Sequence, residues 1–286
     1  MQRRRAVRVP ASSANLGPGY DVLAAALGLH LELEVSEHDG PLVVESDLDV
    51  PLGPDNLCVR AFERLARPEG FRFRISSQIP LVGGFGSSAA AVVAGLMAAD
   101  HIFELDADVE ALATELEGHP DNVAAALQGG FVVCAPGRPP TRLDPPTGLE
   151  AVLVIPGEAV PTSAARAALP DRVQRSDAVF NVAHASLLML GLARGDWDLV
   201  AAGLYDRLHQ DARAHLYPRS HALLERARAF GALGATISGA GPSVLVWSHY
   251  EMTGALVEAL RGETAGWAKV TRVPFETQGA RVAQIA

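Results

Sequence analysis

A glycine-rich segment followed at once by a run of small helix-forming residues constrains this chain more than any other feature. Gly83, Gly84 and Gly86 lie within four residues, and mostly Ala and Val follow. Glycine lets the backbone bend sharply and approach a ligand that a side chain would exclude. The first amides of the following helix, which we expect Ser87 or Ser88 to cap, lie at the positive end of its dipole. The segment predicts a phosphate site, with a glycine-rich turn before a buried helix as the alternative.

Nearby residues argue against two other kinds of phosphate loop. A Walker-type loop needs a lysine at the start of the helix, and the only lysine in the chain is Lys269. Gly84, Gly86 and Ala89 spell G-x-G-x-x-A, the fingerprint of a dinucleotide site, which must follow directly from a strand. Pro80 ends any preceding strand, because proline cannot donate to a central ladder. A dehydrogenase-type site is therefore disfavoured.

The stretch Pro80-Leu-Val-Gly-Gly-Phe-Gly-Ser-Ser-Ala-Ala90 resembles the ATP loop of the GHMP kinases, P-x-x-x-G-L-G-S-S-A-A, with Phe85 in place of leucine. This family is named after galactokinase, homoserine kinase and the mevalonate-pathway kinases. Three further stretches, at 9–23, 117–123 and 238–243, are similar to the family members that phosphorylate L-homoserine. The motifs occur in the right order, so the resemblance covers essentially the whole chain.

Strands that come in runs, with helices segregated from them, predict an α+β fold. Leu31–Val35 and Leu42–Glu45 alternate apolar and polar residues and are interpreted as antiparallel strands. A proline-rich stretch at 136–146 predicts a boundary between an ATP-binding domain at 1–145 and a second domain at 146–286. The resemblance implies a two-domain GHMP-kinase fold, whose ATP loop lies in a left-handed β-α-β unit and whose C-terminal domain is a ferredoxin-like α/β sandwich.

The resemblance implies ATP and Mg²⁺ as cofactors. The residues expected to bind the nucleotide are Asn56, near the adenine, and the loop itself: Pro80, Leu81, Val82, Gly83, Gly84, Phe85, Gly86, Ser87, Ser88, Ala89 and Ala90. Glu117 lies in the last turn of a predicted helix, where the dipole disfavours negative charge, and a bound cation would reverse that cost. Glu115 and Glu117 are otherwise explained as two solvated glutamates. By resemblance, Ser88 and Glu117 hold the metal.

The acceptor site is predicted from charges that suit an amino acid. Asp21 begins an apolar run, where its carboxylate needs a partner such as a substrate ammonium group. Arginine can grip a substrate carboxylate at two points. Arg166 matches the family pattern T-x-x-x-R that begins at Thr162. Arg213 lies in H-Q-D-A-R, where the family has H-Q-P-Y-R, and an ordinary surface arginine is the alternative.

Catalytic candidates follow from the same resemblance, which assigns Asn15 to homoserine binding and Asn122 to orienting the substrate hydroxyl. We name Asn122, Asp121 and Asn15 as catalytic candidates. Asp121 is equally explained as a favourable charge in a first helical turn. His119 is a general base by residue type, or a histidine that is simply hydrogen-bonded. A loose transition state does not demand a dedicated base.

Composition limits the partners and the compartment. The chain has 286 residues and a net charge of -9, which argues against nucleic acid or an anionic membrane as a partner. The apolar stretch at 89–99 is too short to span a bilayer. Cys58 and Cys134 have no metal or disulfide spacing and are expected to be buried thiols in a reducing cytoplasm. Whether the chain forms a homodimer stays open.

Together these features predict an enzyme that transfers phosphate from ATP to the side-chain hydroxyl of L-homoserine, giving O-phospho-L-homoserine for threonine biosynthesis. One alternative is a related kinase for another small alcohol, which the two arginines disfavour if that alcohol is a neutral sugar. The other is a non-catalytic binding protein on the same scaffold. Loss of the loop serines or of the acidic metal ligand would have indicated that, and both are present.

Overall fold

The computed structural model describes residues 3–81 and 83–284, so Val82 of the predicted ATP loop lies outside the described residues. The strands are β1 (Arg4–Ala14), β2 (Leu23–Glu37), β3 (Val43–Ser46), β4 (Phe71–Ser77), β5 (Phe131–Val133), β6 (Thr141–Leu143), β7 (Leu149–Pro156), β8 (Gly234–Ile237), β9 (Val244–His249), β10 (Ala268–Pro274) and β11 (Arg281–Gln284). The α-helices are α1 (Leu57–Glu63), α2 (Ser87–Phe103), α3 (Val109–Glu117), α4 (Asp121–Gln128), α5 (Thr162–Ala167), α6 (Arg175–Arg194), α7 (Trp197–Gly203), α8 (Pro218–Arg226) and α9 (Tyr250–Glu263). Two 3₁₀ turns span Asp211–Leu216 and Ala227–Phe230.

The first sheet is built around the long strand β2, in the order β11-β1-β2-β4-β3, with β5 and β6 continuing from the other end of β2. The alternating pattern predicted for 31–35 is present, since Leu31, Leu33 and Val35 are buried and their neighbours face outward. Helices α1, α2 and α4 pack against this sheet. Helix α2 is buried along most of its length because its residues are small. The sheet and α2 together hold the glycine-rich loop.

The prediction that the strand near 42–45 is antiparallel is wrong. Strand β3 pairs with β4 in parallel, with Val44 opposite Phe73. The segment between them contains α1, and a helical crossover of this kind joins parallel strands. The alternation of apolar and polar residues is the same in either direction, so the sequence pattern did not distinguish them.

The second sheet has the order β10-β7-β9-β8, with every neighbouring pair antiparallel. Numbered within this unit, the order is 4-1-3-2, the arrangement of a ferredoxin-like α/β sandwich. Val152, Val246 and Leu256 lie in the core between this sheet and its helices. The two sheets therefore form the two-domain α+β fold that was predicted.

Aromatic packing joins the two sheets. Phe131 of β5 stacks on Trp247 of β9 at 5.8 Å between ring centroids, and Phe275 contacts both rings. Strand β11 then returns to the first sheet, where Arg5 lies opposite Gln284. The domain boundary near 145 stays a prediction. Strand β11 follows this boundary in the sequence but pairs with β1 of the first sheet.

Helix α6 has an unusual surface. It is 20 residues long, with a mean hydropathy of 1.3 over its most apolar window, and only 22% of that window is buried. By length and composition alone it passes the test for a membrane-spanning helix, which helices of soluble proteins can also pass. Its inner face, with Asn181, Leu188 and Leu192, packs into the protein next to α7.

Candidate active site

A cavity of about 430 Å³ opens where the glycine-rich loop faces the turn after β8. It brings together residues that lie as far apart in the sequence as Ala14 and Gly241. The predicted site residues that line it are Asn15, Asp21, Pro80, Leu81, Gly83, Gly84, Phe85, Gly86, Ser87, Ser88, Glu117, Asp121, Asn122, Thr162, Arg166 and Arg213. His119, considered above as a general base, also lines the cavity.

Some predicted ATP-binding residues do not line this cavity. Ala89 and Ala90 are fully buried on the inner side of α2. The side chain of Asn56 caps α1, since its Oδ1 accepts from the amide of Cys58 at 2.9 Å and its Nδ2 donates to the carbonyl of Pro51. Its hydrogen-bonding groups are therefore used to fix the loop before α1.

The glycines of the loop are required by close packing as well as by backbone conformation. Gly83, Gly84 and Gly86 have φ values of 113°, 87° and 63°, in the region that favours glycine. A Cβ on Gly84 would lie 2.0 Å from the carbonyl oxygen of Ser238, and one on Gly86 would lie 2.1 Å from Ser12 Oγ. The loop is thus pressed against β1 and the turn after β8.

The prediction that Ser87 or Ser88 caps α2 is wrong. Gly86 is the N-cap residue, in the left-handed conformation, and no side chain caps the helix. Both serines belong to the first turn and line the cavity. Within the part of the chain that the structure describes, no side chain accepts from the first amides of α2, as expected for a helix start that binds an anion.

Ser88 and Glu117 form a pair of oxygen ligands beside the helix start. Ser88 Oγ donates to Glu117 Oε1 at 2.5 Å, although the two residues come from different helices. Glu115 instead pairs with Arg64 at 2.9 Å and does not line the cavity. Among residues 3–81 and 83–284, no group of three His, Cys, Asp or Glu side chains forms a metal cluster. One carboxylate and one hydroxyl suit Mg²⁺, which keeps several waters and takes its other ligands from phosphates.

A second cluster surrounds Asn122 at the start of α4. Ser12 Oγ donates to Asn122 Oδ1 at 2.9 Å. Asp121 is buried, accepts from the backbone amide of Asn122 at 2.7 Å and contacts His119 Nδ1 at 2.9 Å. The hydrogen bond to Asp121 raises the pKa of His119, although burial acts in the opposite direction. Both contacts use Oδ1 of Asp121, so this oxygen links His119 to the start of α4.

Asn15 and Asp21 are held in strained backbone conformations, with φ values of 71° and 54°. Non-glycine residues in this region cost energy and concentrate at functional sites. Asn15 Oδ1 accepts from the amide of Asp21 at 3.0 Å, and Asn15 Nδ2 donates to the carbonyl of Gly239 at 2.8 Å. Asn15 therefore orients Asp21 and ties the first loop to the turn after β8.

Arg166 pairs with Asp21 at two points. Its NH2 lies 3.0 Å from Asp21 Oδ1 and its NH1 lies 3.2 Å from Oδ2, while NH1 also donates to the hydroxyl of Tyr20 at 3.0 Å. Both side chains are more than one-third exposed. Thr162 is the first residue of α5 and Pro161 is its N-cap, so Thr162 does not cap the helix.

Arg213 is buried, which removes the alternative of an ordinary surface charge. Its Nε donates to the carbonyl of Ala165 at 2.8 Å, and its NH1 contacts His209 Nδ1 at 3.2 Å. His209 Nε2 lies 2.8 Å from the carbonyl oxygen of Gly17, so Nε2 carries the proton and Nδ1 accepts from the arginine. Burial lowers the pKa of His209, which agrees with a neutral ring.

Sequence reasoning missed the residues that hold Arg213. His209 precedes Arg213 by one helical turn in H-Q-D-A-R, and this i, i+4 spacing could have indicated the contact. Asp206 accepts from the amides of His209 and Gln210 and from Asn181 Nδ2 at 2.6 Å. No local pattern in the sequence indicates that last contact.

The turn after β8 closes the site. Ser238 Oγ lies 2.7 Å from the carbonyl oxygen of Gly84 and 2.8 Å from Ser13 Oγ. Ser243 Oγ is buried and has no hydrogen-bond partner among the described residues, and a Cβ on Gly83 would lie 2.6 Å from it. This turn therefore supports the glycine-rich loop directly.

Uncapped helix amides, a hydroxyl–carboxylate pair and a charged acceptor region in one cavity are the parts of a small-molecule kinase. The family descriptions "GHMP kinases N terminal domain" and "GHMP kinases C terminal" match residues 56–130 and 188–262. The chain belongs to the GHMP kinase family, whose members use ATP.

Several proteins similar to this chain carry the name of one member of that family. The chain is 41% identical to "Homoserine kinase" of Streptomyces coelicolor over 98% of this chain and 94% of the relative. It is 43% identical to "Homoserine kinase" of Deinococcus radiodurans over 84% and 82% of the two chains. The crystal structure of homoserine kinase from Cytophaga hutchinsonii superimposes with a TM-score of 0.87 at 28% identity, covering 99% of this chain and 98% of that one.

Proposed function

We propose that this chain is a homoserine kinase, which transfers the γ-phosphoryl group of ATP to the side-chain hydroxyl of L-homoserine in threonine biosynthesis. The bond from the γ-phosphorus to the β–γ bridging oxygen breaks, a bond to the hydroxyl oxygen forms, and ADP, O-phospho-L-homoserine and a proton result. One observation carries the choice of acceptor. Asp21, Arg166 and Arg213, which suit the opposite charges of an amino acid, converge in the same cavity as the glycine-rich loop.

For the nucleotide, we propose that the first amides of α2 and the backbone of 83–86 hold the phosphates. Ser88 and Glu117 would hold Mg²⁺, and the metal, when bound, neutralises negative charge on the phosphates. Their contact at 2.5 Å supports this role, because two oxygens so close together are both within reach of one ion. The α1 cap formed by Asn56 would shape the loop near the adenine.

For the acceptor, we propose that Asp21 binds the ammonium group and that Arg166 and Arg213 bind the carboxylate. Thr162, at the start of α5, lies beside Arg166 in the cavity wall. Asn122 would orient the hydroxyl toward the γ-phosphorus. Asp121 would position Asn122, and Asn15 would position Asp21. The reaction then depends mainly on alignment and charge stabilisation, and a loose transition state needs no strong base.

A coupled assay of ADP release tests this proposal. We expect turnover with L-homoserine and ATP, and not with mevalonate, galactose or shikimate. Turnover on one of those alcohols but not on homoserine would identify a different kinase of the family. Binding of ATP without turnover on any of them would favour a non-catalytic binding protein.

We also propose that the enzyme works in the cytoplasm and forms a homodimer. Two buried free cysteines, Cys58 and Cys134, suit a reducing compartment. The exposed apolar surface of α6 supports the homodimer.

A further inference from the structure

We infer that Tyr20 is a positioning residue for the acceptor. Its hydroxyl holds the guanidinium of Arg166 in place when Asp21 turns from Arg166 to the ammonium group of homoserine. Tyr20 lies in the loop between β1 and β2 and lines the cavity, and the roles proposed for the other cavity residues leave it without one. The inference rests on the proposed function, because it concerns how homoserine is bound in that site.

The guanidinium of Arg166 is shared between two residues that are neighbours in the sequence. Its NH2 donates to Asp21 Oδ1 at 3.0 Å, while its NH1 is divided between Asp21 Oδ2 at 3.2 Å and the hydroxyl oxygen of Tyr20 at 3.0 Å. An ammonium group competes strongly for a carboxylate and much less for a neutral phenol oxygen. The substrate therefore draws Asp21 away from Arg166 and leaves Tyr20 where it is.

The phenol of Tyr20 stays protonated and uncharged at neutral pH. Burial and the neighbouring carboxylate of Asp21 raise its pKa above the ordinary value of 10.0, although Arg166 and Arg213 act in the opposite direction. A neutral phenol oxygen accepts from a guanidinium and adds no charge of its own to the site. Tyr20 can therefore hold Arg166 without competing with the substrate carboxylate for its charge.

The ring of Tyr20 is anchored on its other side. Its centroid lies 5.5 Å from Cζ of Arg213 and 5.4 Å from the centroid of the His209 ring. Arg213 and His209 are both fully buried, so the ring packs against a part of the protein that has little freedom to move. The hydroxyl of Tyr20 is thus a fixed point in the cavity wall.

Arg166 needs such a fixed point. Its side chain is 41% exposed, and a long exposed side chain loses rotamer freedom when it binds a ligand. Within residues 3–81 and 83–284, the side-chain hydrogen bonds of Arg166 go only to Tyr20 and Asp21. Once Asp21 has turned to the ammonium group, Tyr20 is the remaining partner. Its contact keeps NH1 in place and leaves NH2 free for the carboxylate, so less freedom is lost on binding.

This exchange makes and breaks no covalent bond. Asp21 takes the ammonium group, NH2 of Arg166 takes the carboxylate, and NH1 of Arg166 stays on the phenol of Tyr20. The role of the hydroxyl is therefore confined to binding of the acceptor. A change at Tyr20 should alter the KM for homoserine and leave the chemical step alone.

Tyr20→Phe tests the inference, because it removes the hydroxyl and keeps the ring that packs against Arg213. Losing one ordinary hydrogen bond should raise the KM for homoserine about 3- to 10-fold, with kcat and the KM for ATP nearly unchanged. Tyr250→Phe is the matched control. Its hydroxyl donates to Glu251 at 3.3 Å at an exposed position outside the cavity, so its loss should change none of these values. Urea unfolding of both variants checks that the fold is kept.

A double-mutant cycle shows whether the hydroxyl acts through Arg166. In an Arg166→Ala background, Tyr20→Phe should raise the KM for homoserine no further, because no guanidinium remains to be held. The inhibition constant of 3-aminopropan-1-ol, which has no carboxylate, should also be the same for wild type and Tyr20→Phe. A merely structural role of Tyr20 would instead weaken binding in both backgrounds and for both compounds.

The outcomes separate this inference from the proposed function. If wild type phosphorylates homoserine, a KM that is unchanged in Tyr20→Phe, or that rises equally with and without Arg166, overturns the inference alone. A fall in kcat at an unchanged KM would give the hydroxyl a part in the chemical step and would overturn it as well. No turnover of homoserine by wild type overturns the proposed function, and the inference with it.

Discussion

The carboxylate of Asp21 and the guanidinium of Arg166 form a two-point ion pair in the cavity, at 3.0 and 3.2 Å. These are the groups proposed to hold the ammonium and the carboxylate of homoserine. A zwitterion can replace each partner of this pair with a group of the same charge, whereas a neutral alcohol cannot. The pair thus favours amino acids over uncharged acceptors.

Replacing Arg166 should weaken homoserine binding with little effect on kcat. A hydrogen bond to a charged group contributes about 1.5–3 kcal/mol, so Arg166→Ala should raise the KM for homoserine about 10- to 100-fold. Steady-state kinetics at saturating ATP measure this. Arg261→Ala, which breaks the exposed pair with Glu258 on α9, is the control and should leave KM unchanged. An unaltered KM in Arg166→Ala would remove this residue from the acceptor site.

Removing either charge from the acceptor should weaken binding by a comparable amount. We expect 3-aminopropan-1-ol, which lacks the carboxylate, and 4-hydroxybutyrate, which lacks the ammonium group, to compete poorly with homoserine. Without the ammonium group, Asp21 gains no new partner when its pair with Arg166 opens. Without the carboxylate, Arg166 gains none. Inhibition constants against homoserine measure this, and equal potency of homoserine and either analogue would contradict the exchange.

Glu117→Gln should impair metal-dependent turnover without unfolding the protein. Losing a residue that only hydrogen-bonds to a metal ligand costs about 10- to 100-fold in activity. Losing the carboxylate ligand itself should reduce kcat/KM by no less than that. The apparent affinity for Mg²⁺ should fall as well. Glu115→Gln is the matched control, because Glu115 lies in the same last turn but pairs with Arg64. Equal Mg²⁺ dependence in the two variants would exclude Glu117 as a ligand.

Gly84→Ala should disrupt both the fold of the loop and ATP binding. The new Cβ would lie 2.0 Å from the carbonyl oxygen of Ser238 at a φ of 87°. A left-handed φ costs a non-glycine residue about 1–2 kcal/mol, and overpacking adds about 1–3 kcal/mol. Gly137→Ala has a φ of 75° with nothing within 4 Å and isolates the first cost. Urea unfolding and the KM for ATP measure the difference, and matching values in both variants would show that the Ser238 contact is unimportant.

Acid should destabilise the protein partly through His209. Burial lowers the pKa of His209 in the folded state below its ordinary value of 6.5, so below that pH the unfolded chain binds more protons. Stability then falls as pH decreases, by at most about 1.4 kcal/mol per pH unit from one such group. The pKa of His30 is also lowered and the pKa of His119 is raised, so wild type alone does not isolate the effect of His209. The comparison therefore uses variants. His209→Gln should show a weaker loss in urea unfolding between pH 7.5 and 5.5 than wild type or the exposed-site control His101→Gln. An equal loss would show that His209 titrates normally.

The sequence predicted the parts of the site that depend on local chemistry. The glycine spacing before α2, and Glu117 at the end of α3, are visible within a few residues. The alternation of apolar and polar residues at 31–35 predicts a strand, and these residues are confirmed as part of β2. The sequence alone shows side chains of a suitable type at these positions.

Contacts between distant segments were beyond that reasoning. The cap of α2 is Gly86 because the loop turns through a left-handed residue, which removes the serines from the capping position. Asn181 reaches Asp206 and the carbonyl of Pro18 only because α6 packs beside the first loop. The sequence around Asn181 looks like that of an ordinary helix, so it does not indicate these contacts.

The turn after β8 touches both halves of the cavity at neighbouring residues. On the nucleotide side, the hydroxyl of Ser238 donates to the carbonyl of Gly84. On the acceptor side, the carbonyl of Gly239 accepts a hydrogen bond from the side-chain amide of Asn15. The two contacts belong to adjacent residues, so any linkage between the nucleotide and acceptor sites through this turn would cross a very short stretch of chain. Because such linkage is reciprocal, any synergy by which ATP tightens homoserine must be returned in equal measure by homoserine to ATP.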